Sequence, residues 1–424
     1  MPNEVNLICT LNKEYLPATG QPQLAYVLIE IVPTQAMAAV QMPLNLSLVL
    51  DKSGSMDGAK MTCLKDAVKR VIDLLGPEDF ISVVAFDSSP KTLVKSQQAS
   101  SPADKQNLKR QVDRLSAGGG TEIAPAMEVG LSELRRAYAP NAINRLVLLT
   151  DGQTEHEDRC HKQAQKQAGA GIPLVALGIG GDWNEQLLIN LAAATGGQAD
   201  YIAGPQQIVA YFQTAVQSMQ ATVVQNAELV LRLVAGINPR KIWRVVPVIA
   251  DLGYRPLSDR VVAAPLGELE KGQGQALLVE LMLPARQAGA YRIAQAEVAY
   301  DVPLLGLTQE KVRADIMMSF TQEAFQAQQV NARVMNIVEK VTAFKLQTRA
   351  LREAEAGNIA NATQQLRAAH TILLSQGDAE LAKTVRLAAD ELESQHKMSS
   401  EAQKTIRFGS GKTVRLDATD PNNP

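Results

Sequence analysis

Several oxygen-bearing side chains stand at spacings that an ion could use. The segment Leu46-Ser47-Leu48-Val49-Leu50-Asp51-Lys52-Ser53-Gly54-Ser55-Met56 is an apolar run that ends in a carboxylate and then sets two hydroxyls at alternate positions. The run reads as a buried strand, and Gly54 breaks it where the oxygen ligands begin. Downstream, Gly118-Gly119-Gly120-Thr121 places a hydroxyl after a glycine triplet. Leu146-Val147-Leu148-Leu149-Thr150-Asp151-Gly152 places a second carboxylate at the end of a second apolar run. Such donors suit a hard divalent cation: Mg²⁺ takes near-octahedral oxygen coordination, keeps several waters and is held by few protein groups.

The surrounding pattern says how these residues are positioned. From Leu44 the chain alternates between strand and helix. A strand over Leu44–Leu50 leads to a helix over about Gly58–Leu75, where Met61, Leu64, Ala67, Val68, Val71 and Leu75 recur at helical spacing and Gly76-Pro77 ends the run. Strands are predicted at Phe80–Phe86, Arg145–Leu149, Pro173–Leu177 and Asp200–Ala203. Helices are predicted at about Ala103–Leu115, Glu122–Tyr138, Asp158–Ala168, Glu185–Ala194 and Gln206–Ala221. Alternation of this kind implies a mostly parallel sheet covered on both faces, with sites at the carboxyl ends of its strands. Asp51 and Asp151 both fall at such ends.

Taken in order, Asp51-x-Ser53-x-Ser55, Thr121 and Asp151 resemble the metal-ion-dependent adhesion site of the von Willebrand factor A family. Gly178-Ile179-Gly180-Gly181-Asp182-Trp183-Asn184-Glu185 resembles the loop after that family's penultimate strand. The resemblance spans residues 44 to 220, about 40% of the chain. It implies direct ligation of Mg²⁺, or alternatively Mn²⁺ or Ca²⁺, by Ser53, Ser55 and Thr121, with Asp51 and Asp151 acting mostly through water. One coordination position is then open to an Asp or Glu carboxylate of a partner protein. The β-rich segments on either side of this domain resemble the layout of inter-α-trypsin-inhibitor-like bacterial proteins.

The expected fold is therefore an α/β, Rossmann-like domain at 44–221 inserted in a β-sandwich built from 1–43 and 222–320, followed by a helical bundle at 321–398 and a flexible tail at 399–424. The sandwich strands are read at Val5–Leu11, Leu24–Ile31, Ala227–Leu233, Val245–Ile249, Ala276–Met282 and Tyr291–Tyr300. In the bundle, Val330, Val334, Ile337, Val338 and Val341 form a stripe, while Gly357-Asn358 and Gly377-Asp378 divide three antiparallel helices.

Composition narrows the function. The chain has 424 residues, 46% hydrophobic and 20% charged, with a formal net charge of −2. No field of one sign draws it to nucleic acid or anionic lipid. No apolar run is long enough to span a membrane, and the N-terminal residues lack the basic and apolar regions of a secretory signal. Cys9, Cys63 and Cys160 are far apart and odd in number, which fits a reducing, cytoplasmic setting.

Other constellations carry less. Gly409-Ser410-Gly411-Lys412-Thr413 has Ile406 where a phosphate-binding loop needs its first glycine. His156, Cys160 and His161 lack further ligands for Zn²⁺. No nucleophile–base pair is evident, so no enzymatic activity is expected. The repeated Lys404-Thr405-Ile406-Arg407-Phe408 and Lys412-Thr413-Val414-Arg415-Leu416 suit a Ser/Thr kinase and a forkhead-associated domain acting at Thr405 and Thr413, or else a pair of short strands. The expected role is a metal-dependent scaffold or adaptor in intracellular bacterial signalling. The alternative is an accessory subunit of an AAA+ ATPase complex for remodelling or metal insertion.

Overall fold

The computed structural model describes residues 4–154 and 156–411. They fall into two units, Gln41–Thr222 and a discontinuous one made of Met1–Val40 and Val223–Pro424. The discontinuous unit begins with β1 (Val5–Leu11), β2 (Tyr15–Pro17) and β3 (Gln23–Pro33).

The α/β unit then runs β4 (Leu44–Asp51), α1 (Ala59–Leu74), β5 (Phe80–Phe86), β6 (Pro90–Gln98), α2 (Pro102–Val112), α3 (Ile123–Arg136), β7 (Ile143–Thr150), α4 (Glu157–Gly169), β8 (Leu174–Ile179), α5 (Glu185–Ala194), β9 (Gln198–Ile202) and α6 (Ile208–Ala221). Its six-stranded sheet has the order β6-β5-β4-β7-β8-β9. All neighbours are parallel except β5 and β6. β4 is central, and every one of its residues is buried, which is why its sequence is apolar without alternation. On one face, Leu64, Val68 and Val71 of α1 and Phe212 and Val216 of α6 share a core with Leu46, Leu48 and Leu50. On the other, α3 lies so close that a Cβ at Gly130 would sit 2.5 Å from Val49 Cγ2. Any side chain at 130 would force α3 off the strand that carries Asp51.

Strand β6 is absent from the sequence expectation. It is a polar edge strand, antiparallel to β5 across the short turn Asp87–Ser89, so it needs no crossover helix and leaves no α/β alternation to read.

After the α/β unit the chain continues with β10 (Thr222–Leu233), β11 (Asn238–Val246), β12 (Ala250–Asp251), β13 (Arg255–Ser258), β14 (Val261–Glu270), β15 (Gln275–Leu283), β16 (Gly289–Val302) and β17 (Leu307–Thr321). With β1 to β3 these make two sheets, β1-β3-β15-β11-β12 and β13-β14-β10-β16-β17-β2. β3 pairs with β15 over its whole middle, from Gln23 opposite Leu283 to Ile31 opposite Gln275. Val27, Ile29 and Ile31 point into a core shared with Leu229, Leu231, Leu281 and Val298 of the two sheets. Leu28 points the other way and packs with Trp243 and Leu278 against Val334, Ile337 and Val341.

Those last three residues belong to the helical segment: α7 (Ala324–Gln328), α8 (Ala332–Glu355), α9 (Ile359–Ser375), α10 (Ala379–Gln395) and α11 (Ser400–Gly409). Gly357 and Gly377 separate α8, α9 and α10 with positive φ of 82° and 77°, a conformation that glycine adopts without strain. Helix α11 corrects two expectations, the flexible tail from 399 and the short strand at 404–408. Ser399 caps it by accepting a hydrogen bond from Ala402 N. Ile406 is fully buried among Leu366, Leu392 and their neighbours, so Lys404–Phe408 is helical despite its alternating pattern. Thr405 is half-buried there rather than extended; Thr413 lies outside the described residues. Among the described residues no helix is long and apolar enough to cross a membrane.

Candidate functional site

The carboxyl ends of β4 and β7 and the loop before α3 meet in one place. Asp51 closes β4, and its Oδ1 accepts a hydrogen bond from Ser53 N at 2.8 Å. That bond bends the chain into the short turn Gly54–Met56, which Met56 anchors by burying its side chain. Ser53 Oγ and Ser55 Oγ then lie 3.1 Å apart, and Ser55 Oγ donates to Asp151 Oδ1 at 2.7 Å. A hydrogen-bonded run thus joins the first motif to the third across a separation of 96 positions in the chain.

The glycine loop is tied to the same turn through backbone. Gly54 N donates to Gly119 O at 3.1 Å, and Gly118 N donates to Lys52 O at 2.8 Å. Gly119 has φ +85°, and a Cβ there would lie 2.8 Å from Asp87 Cβ; both facts require glycine. Thr121 comes next to the third motif: a Cβ at Gly152 would meet Thr121 Oγ1 at 3.2 Å. The structure therefore brings Asp51, Ser53, Ser55, Thr121 and Asp151 to one end of the sheet.

Burial grades the site. Asp51 and Asp151 are 0% and 1% exposed and Ser53 2%, whereas Ser55 is exposed and Thr121 half-buried. Burial pushes the Asp51 carboxyl above the ordinary carboxylate range. Hydrogen bonds from Thr150 and Ser53 pull against this, and the Asp151 charge adds to it. Asp87, on the turn after β5, is held below its ordinary range by its hydrogen bond with the Lys52 ammonium.

Three partners are not evident from the motifs. Thr150 Oγ1 donates to Asp51 Oδ2 at 2.5 Å. Lys60 Nζ pairs with Asp151 Oδ2 and reaches Ser55 O at 3.2 Å. His156 Nδ1 lies 2.9 Å from Glu122 Oε1, which places this histidine in a carboxylate pair beside the Thr121 loop. Cys160 is fully buried, and its thiol is pushed up to about 12, by burial first and then by the Glu122 charge. That disfavours the thiolate a metal would need.

The donor set fits a hard divalent cation. It comprises hydroxyls and carboxylates only, and among the described residues there is no competing cluster of His, Cys, Asp and Glu suited to a metal. The glycine at 152 leaves open the space beside the Thr121 hydroxyl that a side chain would fill.

Residues 45–218 match the von Willebrand factor type A domain, so the α/β unit of this chain is a von Willebrand factor type A domain. Residues 332–416 match the Sll0103-like, C-terminal alpha-helical domain, which joins the first domain here on one chain. The uncharacterized protein sll0103 of Synechocystis sp. is 33% identical over 275 residues, covering 63% of this chain and 64% of that protein. Human inter-alpha-trypsin inhibitor heavy chain H2 is a more distant relative, 26% identical over 44% of this chain and 21% of its own. The chain spans less than two-thirds of the length of either relative. Among solved structures, a von Willebrand factor type A protein from Catenulispora acidiphila superposes with a TM-score of 0.77 at 22% identity, covering 96% of this chain and 97% of that one. This likeness extends the shared fold to the antiparallel sheets and the helical segment.

Proposed function

We propose that the α/β domain is a non-enzymatic docking module that binds a partner protein through a divalent cation, Mg²⁺ first among the candidates. Ser53, Ser55 and Thr121 would hold the ion, and Asp51 and Asp151 would orient its waters. The hydroxyls are neutral, so the bound ion keeps its attraction for a carboxylate, and an Asp or Glu of the partner completes its coordination. The observation that carries this reading is the hydrogen-bonded run from Asp51 through Ser53 and Ser55 to Asp151. It assembles, from distant parts of the chain, the hard oxygen donors that such an ion requires. The free cysteines Cys9, Cys63 and Cys160 support the cytoplasm as its place of work.

The test is capture of partners from the native lysate with wild type and Asp51→Ala, each with Mg²⁺ and with EDTA. A partner held only by wild type in Mg²⁺ supports the reading. A partner held equally by Asp51→Ala in EDTA refutes it. An AAA+ ATPase as the metal-dependent partner would select the accessory-subunit role; a kinase or forkhead-associated protein would select signalling.

A further inference from the structure

The site contains a cation of its own. Lys60 Nζ is in hydrogen-bond contact with Asp151 Oδ2 and lies 3.2 Å from the Ser55 carbonyl. It thus touches two of the residues assigned above to the metal. The pair is asymmetric: the Asp151 side chain is 0% exposed, whereas that of Lys60 is 27% exposed. One partner is fixed in the core while the other has solvent beside it. Lys60 is also the second residue of α1, where the helix dipole disfavours a positive charge. Its own helix therefore gives the ammonium no support, and its visible partners are Asp151 and the Ser55 carbonyl. It also has somewhere to go. Gly180, on the loop after β8, would present a Cβ only 3.9 Å from Lys60 Nζ, and as glycine it leaves that side open.

We propose that Lys60 is a displaceable countercharge: it neutralises Asp151 in the metal-free site, yields Asp151 when a divalent cation binds, and then stands tethered at the rim as a second cationic contact for an acidic partner. This rests on the reading that Ser53, Ser55 and Thr121 hold a divalent cation. Charge dictates the exchange. Two buried carboxylates with one ammonium leave the metal-free site with a single negative charge, which favours cation entry. An ion held by Ser53, Ser55 and Thr121, with its waters turned to Asp151, brings two positive charges close to the ammonium on Asp151 Oδ2, and that repulsion favours departure of Lys60. Once the metal is in, with Lys60 still nearby, the site carries a single positive charge and attracts an anion. Lys60 thereby weakens metal binding and strengthens binding of a partner carboxylate.

The experiment uses the full chain, stripped with EDTA and desalted, as wild type, Lys60→Met and Lys60→Arg. Mn²⁺ affinity is measured by titration calorimetry. In parallel, labelling of Lys60 by an amine-reactive reagent is followed by mass spectrometry with and without Mg²⁺. Loss of a partly exposed ion pair is expected to tighten Mn²⁺ binding about two- to fivefold in Lys60→Met, while Lys60→Arg remains near wild type. In wild type, Mg²⁺ is expected to accelerate labelling of Lys60 relative to the other lysines of the same digest. Equal or weaker Mn²⁺ affinity in Lys60→Met overturns the proposal, as does Lys60 labelling that Mg²⁺ leaves unchanged. Should Lys60→Met fail to fold, the labelling of wild type decides alone. Wild type that binds no Mn²⁺ overturns the metal reading itself, an outcome distinct from a metal site indifferent to Lys60.

Discussion

Thr150→Val is the substitution that most directly probes how the buried carboxylates are maintained. It replaces a hydroxyl with a methyl of similar shape and removes the hydrogen bond, 2.5 Å long, from Thr150 Oγ1 to Asp51 Oδ2. Both residues are fully buried, so no water can replace the donor without opening the strand ends. A hydrogen bond to an ionised group contributes about 1.5–3 kcal/mol, against about 0.5–1.5 kcal/mol between neutral partners. The penalty must therefore depend on the charge of Asp51. The folded Asp51 carboxyl is already held above its ordinary value of 3.8, chiefly by burial. Across the window upward from that value the folded protein binds more protons at this group than the unfolded chain, so this group lowers stability as pH rises through it. Removing the Thr150 hydroxyl raises the folded value further and widens the window. The metal-free variant is expected to lose about 0.5–1.5 kcal/mol at the acid end of that window, where folded Asp51 is protonated, and about 1.5–3 kcal/mol at a pH above it, where Asp51 is ionised. Urea unfolding in EDTA measures this, with Trp183 as reporter of the α/β unit in a Trp243→Phe background. A penalty that is the same at both pH values, or below about 0.5 kcal/mol at the higher one, refutes the reasoning.

Two further substitutions test neighbouring claims. Gly119→Ala must place a Cβ at φ +85° and 2.8 Å from Asp87 Cβ, which should cost about 1–3 kcal/mol. It should also weaken Mn²⁺ binding as the Gly54–Gly119 and Gly118–Lys52 backbone bonds loosen; thermal melts and calorimetry read the two effects, and unaltered values in both contradict the account. Ile406→Ala removes a fully buried side chain and should cost about 2–5 kcal/mol, with faster hydrogen exchange of amides 400–409. Unchanged exchange there would contradict the packing of α11.

Much of the α/β domain is legible in the sequence because its physics is local. Fully buried parallel strands must be apolar throughout, and crossover helices must carry a stripe at helical spacing, so β4, α1 and β5 stand out. Strand β6 breaks that rule: Pro90–Gln98 is a half-exposed edge reached by a tight turn, and its residues Lys91, Lys95, Gln97 and Gln98 look like loop. The pairing of β3 with β15 is hidden for another reason. The partners are about 250 positions apart, and no local pattern encodes which distant strand fills an edge. Helix α11 passes for a strand because five residues with apolar groups at alternate places satisfy a strand period. The signal that distinguishes the helix lies just upstream, in Ser399 as a cap and in Ala402 one helical turn before Ile406.

The site shows the same division. Asp51, Ser53, Ser55, Thr121 and Asp151 are readable as candidates because each ends, or follows within a few residues, an apolar run or a glycine loop, where backbone geometry turns a side chain toward the strand ends. The residues that set their charge state are not readable. Thr150 belongs to the apolar run by position, and its hydroxyl acquires meaning only when β7 lies beside β4 and presents it to Asp51. Lys60 looks like a solvated residue on a helix surface until Asp151, 91 positions away, is folded against it. Its one local sign is a cation in the first turn of a helix, a place where the dipole gives it no support. That mismatch between local preference and position is the kind of signal a sequence can carry about a partner it does not name.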